Sequence, residues 1–214
     1  MGFVRSHELY GAAYSEGRLK DEMVYVPIPQ KNGGVVELNI DEQYQPNITL
    51  ANLAKLPPIY GSSTCTGGNS SGLNDGATAI LLMSREKAEE LCRPILATVV
   101  ASVTVGMEPR RLPETPAKAI FTALRKANLP MSDMKLMEIN KAFAAVTMVS
   151  KKILGEGEPN KVNKIRDRLN VNRGAIAIGH ANTASGARII MTLVNELRRR
   201  GGGLGIAAIC GGLA

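Results

Sequence analysis

An α/β layered fold is predicted by three features of the chain. Apolar runs and amphipathic stretches alternate strictly from Ala77 onward, capping residues stand where the amphipathic stretches begin, and 44% of the 214 residues are hydrophobic, enough to bury a core.

The elements follow in order. A polar helix is expected around Arg5 to Arg18, then short extended pieces at Met23 to Ile28 and Val35 to Ile40, where apolar residues recur at a strand's spacing. A short helix at Leu50 to Leu56 is stopped by Pro57-Pro58, because a proline ring blocks the helical conformation of the residue before it. The stretch from Gly61 to Gly72 is too rich in glycine and serine to be regular and reads as a functional loop or hinge. Ala77 to Met83 is an apolar strand, and Ser84 caps a helix running through Cys92. A β-rich run spans Ile95 to Val105. Thr115-Pro116 is a cap followed by proline at the first helical position, and Ile120, Leu124 and Ala127 then share one face. Leu136 to Ile139 is a strand, Lys141 to Leu154 a helix, Leu169 to Asn172 a strand, Ala184 to Arg199 a helix and Leu204 to Ile209 a last strand. The sequence stops a few residues after that strand, so something else is expected to cover the sheet edge, or the sequence is cut short.

Composition excludes several classes. No apolar run reaches the roughly 18 residues of a membrane span, and the start lacks a secretory leader's apolar region, so a cytosolic protein is expected. Three cysteines, Cys65, Cys92 and Cys210, stand far apart with no C-x-x-C pair and read as free thiols. Lysine and arginine outnumber aspartate and glutamate by 26 to 19, which favours anionic ligands, but aromatic residues are only 4% and stacking platforms for nucleic acid are not evident.

Few residues are suited to carry chemistry. Of two histidines, His7 reads as a solvated helix residue between Ser6 and Glu8, whereas His180 sits in a turn just before a helix, placed either to touch a substrate or simply to bond within the turn. Cys210 ends an apolar strand and precedes two glycines, whose backbone can approach a ligand and aim N–H groups at an oxyanion; it is either a reactive thiol or a small buried hydrophobe. Cys92 reads as buried on an apolar helix face, and Cys65 is undecided. Asn140 joins a strand end to a helix start, and helix capping is the reading its position favours over a site role. The Gly67 to Gly72 loop could cradle phosphate or pantetheine with its N–H groups, although it matches no standard phosphate-loop pattern.

Taken in order, the stretches Asn69-Ser70-Ser71-Gly72-Leu73-Asn74-Asp75-Gly76-Ala77, Asn140-Lys141-Ala142-Phe143, Gly179-His180, Ala184-Ser185-Gly186-Ala187-Arg188 and Cys210-Gly211-Gly212 resemble the thiolases. The resemblance covers essentially the whole chain. It implies a thiolase-like layered α-β-α half-domain at 94–214, a partial loop domain at 1–74, and a joining strand and helix at 75–93.

The implied activity is acyl transfer between acyl-CoA and coenzyme A, by Claisen condensation or thiolysis of a 3-ketoacyl-CoA, as in fatty-acid metabolism. The resemblance gives His180 the activation of a nucleophilic cysteine and Asn140 the positioning of a water in the same oxyanion hole. It gives Cys210 the movement of the second substrate's α-proton and Gly212 an oxyanion N–H. Ser70 and Ser71 would contact the pantetheine arm and Lys55 the nucleotide of CoA, which is substrate rather than cofactor; no metal is implied. Four departures stand out. Lys141 replaces the family's glutamate, Ala181 its proline, Pro57 a basic residue often seen before the loop-domain proline, and the terminal cysteine-glycine motif is one residue short.

The family's nucleophilic cysteine belongs to the amino-terminal half, and none of the three cysteines occupies its place. The expectation is therefore a heteromeric thiolase, an α2β2-like assembly in which a second polypeptide supplies the thiol and the sheet neighbours of Ala77 to Met83. The rival is a non-catalytic acyl-CoA-binding or scaffold subunit of the same fold. Neither nucleic acid nor membrane is an expected partner.

Overall fold

The computed structural model describes residues 2–211, and its core is a parallel strand pair between helices. Strand β3 (Met134–Ile139) lies beside β4 (Leu204–Ala208), with Met137 opposite Ile206 and Ile139 opposite Ala208. The crossover between them contains α5 (Ala144–Leu154), α6 (Pro159–Arg168), α7 (Ala175–Ile178) and α8 (Ser185–Arg199), the helical connection that a parallel pair needs. Five of the six residues of β3 are buried because α8 packs on the pair from one side and α4 (Thr115–Ala127) from the other. Ile120, Leu124, Met137, Ile139, Val146 and Cys210 share the main core cluster, while Leu136 meets Leu193 and Leu197 of α8.

The expected third strand, Leu169 to Asn172, is reduced to a single bridge between Leu169 and Met137. The side chain of Asn170 takes over from there: its Oδ1 accepts from Ile139 N and its Nδ2 donates to Ile139 O, both at 2.8 Å. Asn170 reaches this position with φ +50°, a left-handed conformation that asparagine tolerates.

The amino-terminal part packs separately onto this body. Helix α1 (Gly2–Ser15) contacts α7 and buries Tyr10 and Ala13 against Leu19 and Ala177. The ribbon of β1 (Val26–Pro29) and β2 (Val35–Leu38) is exposed throughout, and α2 (Leu50–Leu53) follows with Thr49 as its cap. Helix α3 (Arg85–Glu90) begins where expected, with Ser84 Oγ accepting from Lys87 N.

Several sequence expectations are corrected. His7 is buried, 2% exposed, between Phe3 and Tyr44. Cys92 is exposed rather than on a packed face, because α3 ends at Glu90 and Cys92 turns out of it with φ +50°. Helix α4 starts at Thr115 itself, already helical, so Thr115 is no cap. Helix α6 had no counterpart in the sequence reading. Residues 77–83 and 95–105 run without a ladder partner among the described residues, and most of residues 77–100 is exposed. Among the described residues no helix is long and apolar enough to cross a membrane.

Candidate active site

The site is built where β3 ends. Asn140 extends the strand by one bond, its N–H donating to Ala208 O at 3.0 Å, and it is fully buried. Helix α5 starts only at Ala144 with Phe143 before it, so Asn140 caps nothing, which corrects the capping expectation. Its side chain turns instead toward His180, with Nδ2 3.2 Å from the imidazole Nε2.

Three local features hold His180. Gly179 precedes it with φ +84°, and a side chain there would run into Asn74, so only glycine fits. The backbone N–H of His180 donates to Gly72 O at 2.9 Å, which ties the histidine turn to the glycine-serine loop. Its Nδ1 lies 2.8 Å from Ser185 Oγ in the first turn of α8, and that hydroxyl donates to Ala181 O at 3.0 Å. Burial pushes the imidazole pKa down and the nearby Arg188 guanidinium pushes it further the same way. The ring is therefore held neutral near pH 7, the state that can accept a proton.

The same loop is fastened to the strand end. Ser71 N donates to Ala142 O at 2.7 Å, Ala144 N donates to Asn69 O at 2.8 Å, and Ser70 bridges Phe143. Ser70 is buried and Ser71 half-buried at the edge of this junction. Lys55 stands exposed just after α2 and has no hydrogen bond to the site residues. Cys210, two residues beyond the carbonyl that Asn140 engages, is 7% exposed in the main core, and burial pushes its thiol pKa up. Gly212 lies outside the described residues. Thus Asn140, His180 and the Ser70-Ser71 loop come together, while Cys210 is packed in the main core and Lys55 stands apart.

Lys141, adjacent to Asn140, faces the other way. Its ammonium donates to Ser6 Oγ at 2.8 Å and to Gly2 O, docking α1 against the strand end. Burial pushes its pKa down to about 7, helped by Arg5 and Lys151. Successive residues of an extended segment point to opposite sides, so the charge reversal at this position is spent on α1 and makes no hydrogen bond to His180.

Sequence reasoning missed the charged layer beneath the site. Arg188 Nη2 donates to Asn140 Oδ1 at 3.0 Å. Deeper, Arg173 pairs with Glu22 at 2.8 Å, with both side chains almost wholly buried, and Thr192 donates to Glu22 at 2.7 Å. Arg18 donates to Asn172 Oδ1 at 2.6 Å, and Asn172 in turn donates to Glu196. The available signal was spacing: Ser185, Arg188 and Thr192 fall on one stripe of α8, so a charge there faces the strands.

Comparison with known proteins follows this geometry. Residues 93–214 match the family described as thiolase, C-terminal domain, and residues 3–86 match thiolase, N-terminal domain. The acetyl-CoA acetyltransferase of Chromobacterium violaceum is 40% identical over 97% of this chain and 51% of its own length. A 3-ketoacyl-CoA thiolase of Vibrio cholerae is 38% identical over 98% of this chain and 53% of its own length. The crystal structure of Bacillus anthracis acetyl-CoA acetyltransferase superposes with a TM-score of 0.87 at 36% identity, covering 97% of this chain and 51% of that one. Human mitochondrial 3-ketoacyl-CoA thiolase gives the same TM-score, with 98% and 52% covered. The chain thus spans about half the length of the relatives it matches.

Proposed function

The chain belongs to the thiolase family, and on that premise we propose that it is the acid–base half of a thiolase active site, completed by a cysteine carried on a second, amino-terminal-half polypeptide. One observation carries this reading: a neutral imidazole is presented at a strand end with its hydrogen bonds satisfied by Asn140 and Ser185, and no thiol among the described residues joins them.

In this reading His180 Nε2 takes the proton of the incoming thiol. The thiolate attacks the thioester carbonyl, the bond to the CoA sulfur breaks, and CoA leaves with a proton returned by His180. The protonated imidazole and a water positioned by Asn140 face the developing oxyanion. Cys210 removes the α-proton of a second acetyl-CoA, whose carbanion attacks the acyl-cysteine and releases its thiolate; thiolysis is the same sequence reversed. Ser70 and Ser71 line the route of the pantetheine arm, and Lys55 reaches the nucleotide end. Two such heterodimers would form the α2β2-like assembly.

The exposed segments 77–83 and 95–100 support the second polypeptide, since unpaired extended backbone with apolar side chains calls for strand neighbours. A non-catalytic acyl-CoA-binding or scaffold role is favoured by one feature, the burial of Cys210 with its raised thiol pKa.

Co-expression with a thiolase amino-terminal half and labelled acetyl-CoA tests the proposal. The assembly should acetylate the added half's cysteine, His180→Asn should slow this about 10²- to 10⁴-fold, and Cys210→Ala should acetylate but not condense. Undiminished acetylation in His180→Asn would refute the catalytic reading, and turnover by the chain alone would refute the second polypeptide.

A further inference from the structure

The side chains of Arg188, Asn140, His180 and Ser185 form a hydrogen-bond sequence whose direction is set at one end. The Arg188 guanidinium is a donor only, so the Asn140 atom 3.0 Å from it must be the amide oxygen. That places the amide nitrogen, also a pure donor, 3.2 Å from His180 Nε2, which must then be the unprotonated ring nitrogen. The single proton of the neutral ring is left on Nδ1, where it donates to Ser185 Oγ at 2.8 Å, and the hydroxyl passes its own proton to Ala181 O at 3.0 Å. At each link of this sequence one donor meets one acceptor. Reversing any link would put two donors or two lone pairs face to face.

We infer that Arg188 is a positioning residue that fixes the tautomer of His180 by holding the Asn140 amide in one orientation. Without the guanidinium, the amide is free to turn by half a revolution and offer its oxygen to Nε2. That orientation favours the proton on Nε2 and leaves a ring unable to accept one from a thiol. Helix α8 carries both ends of the sequence, Ser185 and Arg188, three residues apart on one side, so the helix as a rigid piece presents the imidazole. Burial and, after it, Arg173 push the guanidinium's pKa down to about 10 while Glu138, Glu22 and Asp41 oppose them, so the group stays charged near pH 7. Its Nη1 is buried without a hydrogen-bond partner, and the bond to Asn140 is the one hydrogen bond of its side chain among the described residues.

The meaning for catalysis rests on the function proposed above, but the tautomer is measurable without it. The chain has only two histidines, and His7 is an internal reference of the opposite kind: its Nδ1 accepts from Gln45 N at 3.0 Å, so its proton is on Nε2. With the full chain labelled with ¹⁵N-histidine at pH 8, long-range proton–nitrogen correlations should report Nδ1–H for His180 and Nε2–H for His7. In Arg188→Met the His180 pattern should shift toward Nε2–H while His7 keeps its own. Arg188→Lys, which restores a donor, should return His180 toward Nδ1–H. Wild-type His180 found as Nε2–H overturns the inference, and so does an Arg188→Met variant with His7 intact and His180 unchanged.

Should Arg188→Met lose the His7 signature as well, Asn140→Asp with Arg188 in place decides the matter. An acceptor-only carboxylate should draw the proton to Nε2, and a retained Nδ1–H there overturns the inference. In the co-expressed assembly, Arg188→Met should lower kcat about 10- to 100-fold with little change in KM, as for partners that orient a reacting imidazole. A tautomer shift with unchanged acylation would leave the inference standing and remove His180 from the proposed reaction.

Discussion

Strand β3 and the segment 77–83 can be compared residue by residue. The buried one is the more polar: β3 reads Met-Lys-Leu-Met-Glu-Ile, whereas 77–83 reads Ala-Thr-Ala-Ile-Leu-Leu-Met. Yet Leu136 of β3 is 1% exposed and Leu81 and Leu82 are 78% and 76% exposed. The same contrast recurs at Val99 and Val100, 68% and 62% exposed. Apolar character states what a strand requires, and burial follows only where a ladder neighbour and covering helices are supplied. Strand β3 has β4, α4 and α8; among the described residues 77–83 and 95–100 have no ladder.

The sharpest test of this contrast is a pair of identical truncations. Leu136→Ala should lower unfolding free energy by about 3 kcal/mol, the transfer and cavity cost of a packed leucine, while Leu82→Ala should stay within about 0.5 kcal/mol. Urea midpoints of the two variants measure this, and equal losses would break the contrast by placing Leu82 in a core.

The buried side carries a titration that the exposed side lacks. Burial pushes the His7 pKa down to about 4, with Lys141 as the second cause. Between about 4 and the ordinary value of 6.5 the unfolded chain binds a proton that the folded chain refuses, so this contribution to stability is complete above 6.5 and is lost as pH falls toward 4. The loss should be on the order of 2 kcal/mol. His7→Gln, which keeps an acceptor for Gln45 N, should lack that part of the pH dependence in urea titrations at pH 6.5 and 4.5.

On the exposed side, charges should act on assembly rather than folding. Leu81→Lys combined with Val99→Lys should leave the chain's thermal midpoint within a few degrees and weaken association with an amino-terminal thiolase half by about tenfold or more. Titration calorimetry measures it, and unaltered affinity would show that these segments do not face the second polypeptide.

A second titration of the buried side belongs to Lys141. Its pKa is held near 7 against 10.5, so the unfolded chain binds the extra proton between those values and stability should rise with pH across that window. Lys141→Met should flatten the rise, by about 4 kcal/mol at most; a slope identical to that of the parent would mean the ammonium is solvated.

Much of the fold was legible because it is written locally. The Ser84 cap, the periodicity of α4 and α8, the hairpin pieces and the final strand each depend on residues within one or two turns of each other. Helix α6 was not legible, because Lys161, Lys164, Arg166, Asp167 and Arg168 leave it a strongly polar surface with Ile165 as its one fully buried residue. In the site, the motif order pointed to His180 and Asn140, and the residue-level preference for Asn140 as a helix cap failed because α5 starts four residues later.

The sequence by itself determined the position of most helices and of the paired strands, the motifs that place the chain among the thiolases, and the short list of residues able to move a proton. Tertiary structure alone decided which way each of them acts. Asn140 turns its amide nitrogen to His180 because Arg188, 48 residues away, holds the oxygen. His7 loses its solvent to Tyr44 and to Gln45, 38 residues away. Lys141 turns from the site to α1, 139 residues back at Gly2. A side chain's pKa, tautomer and exposure are set by whatever surrounds it in space, and periodicity along the chain says nothing about neighbours that far apart.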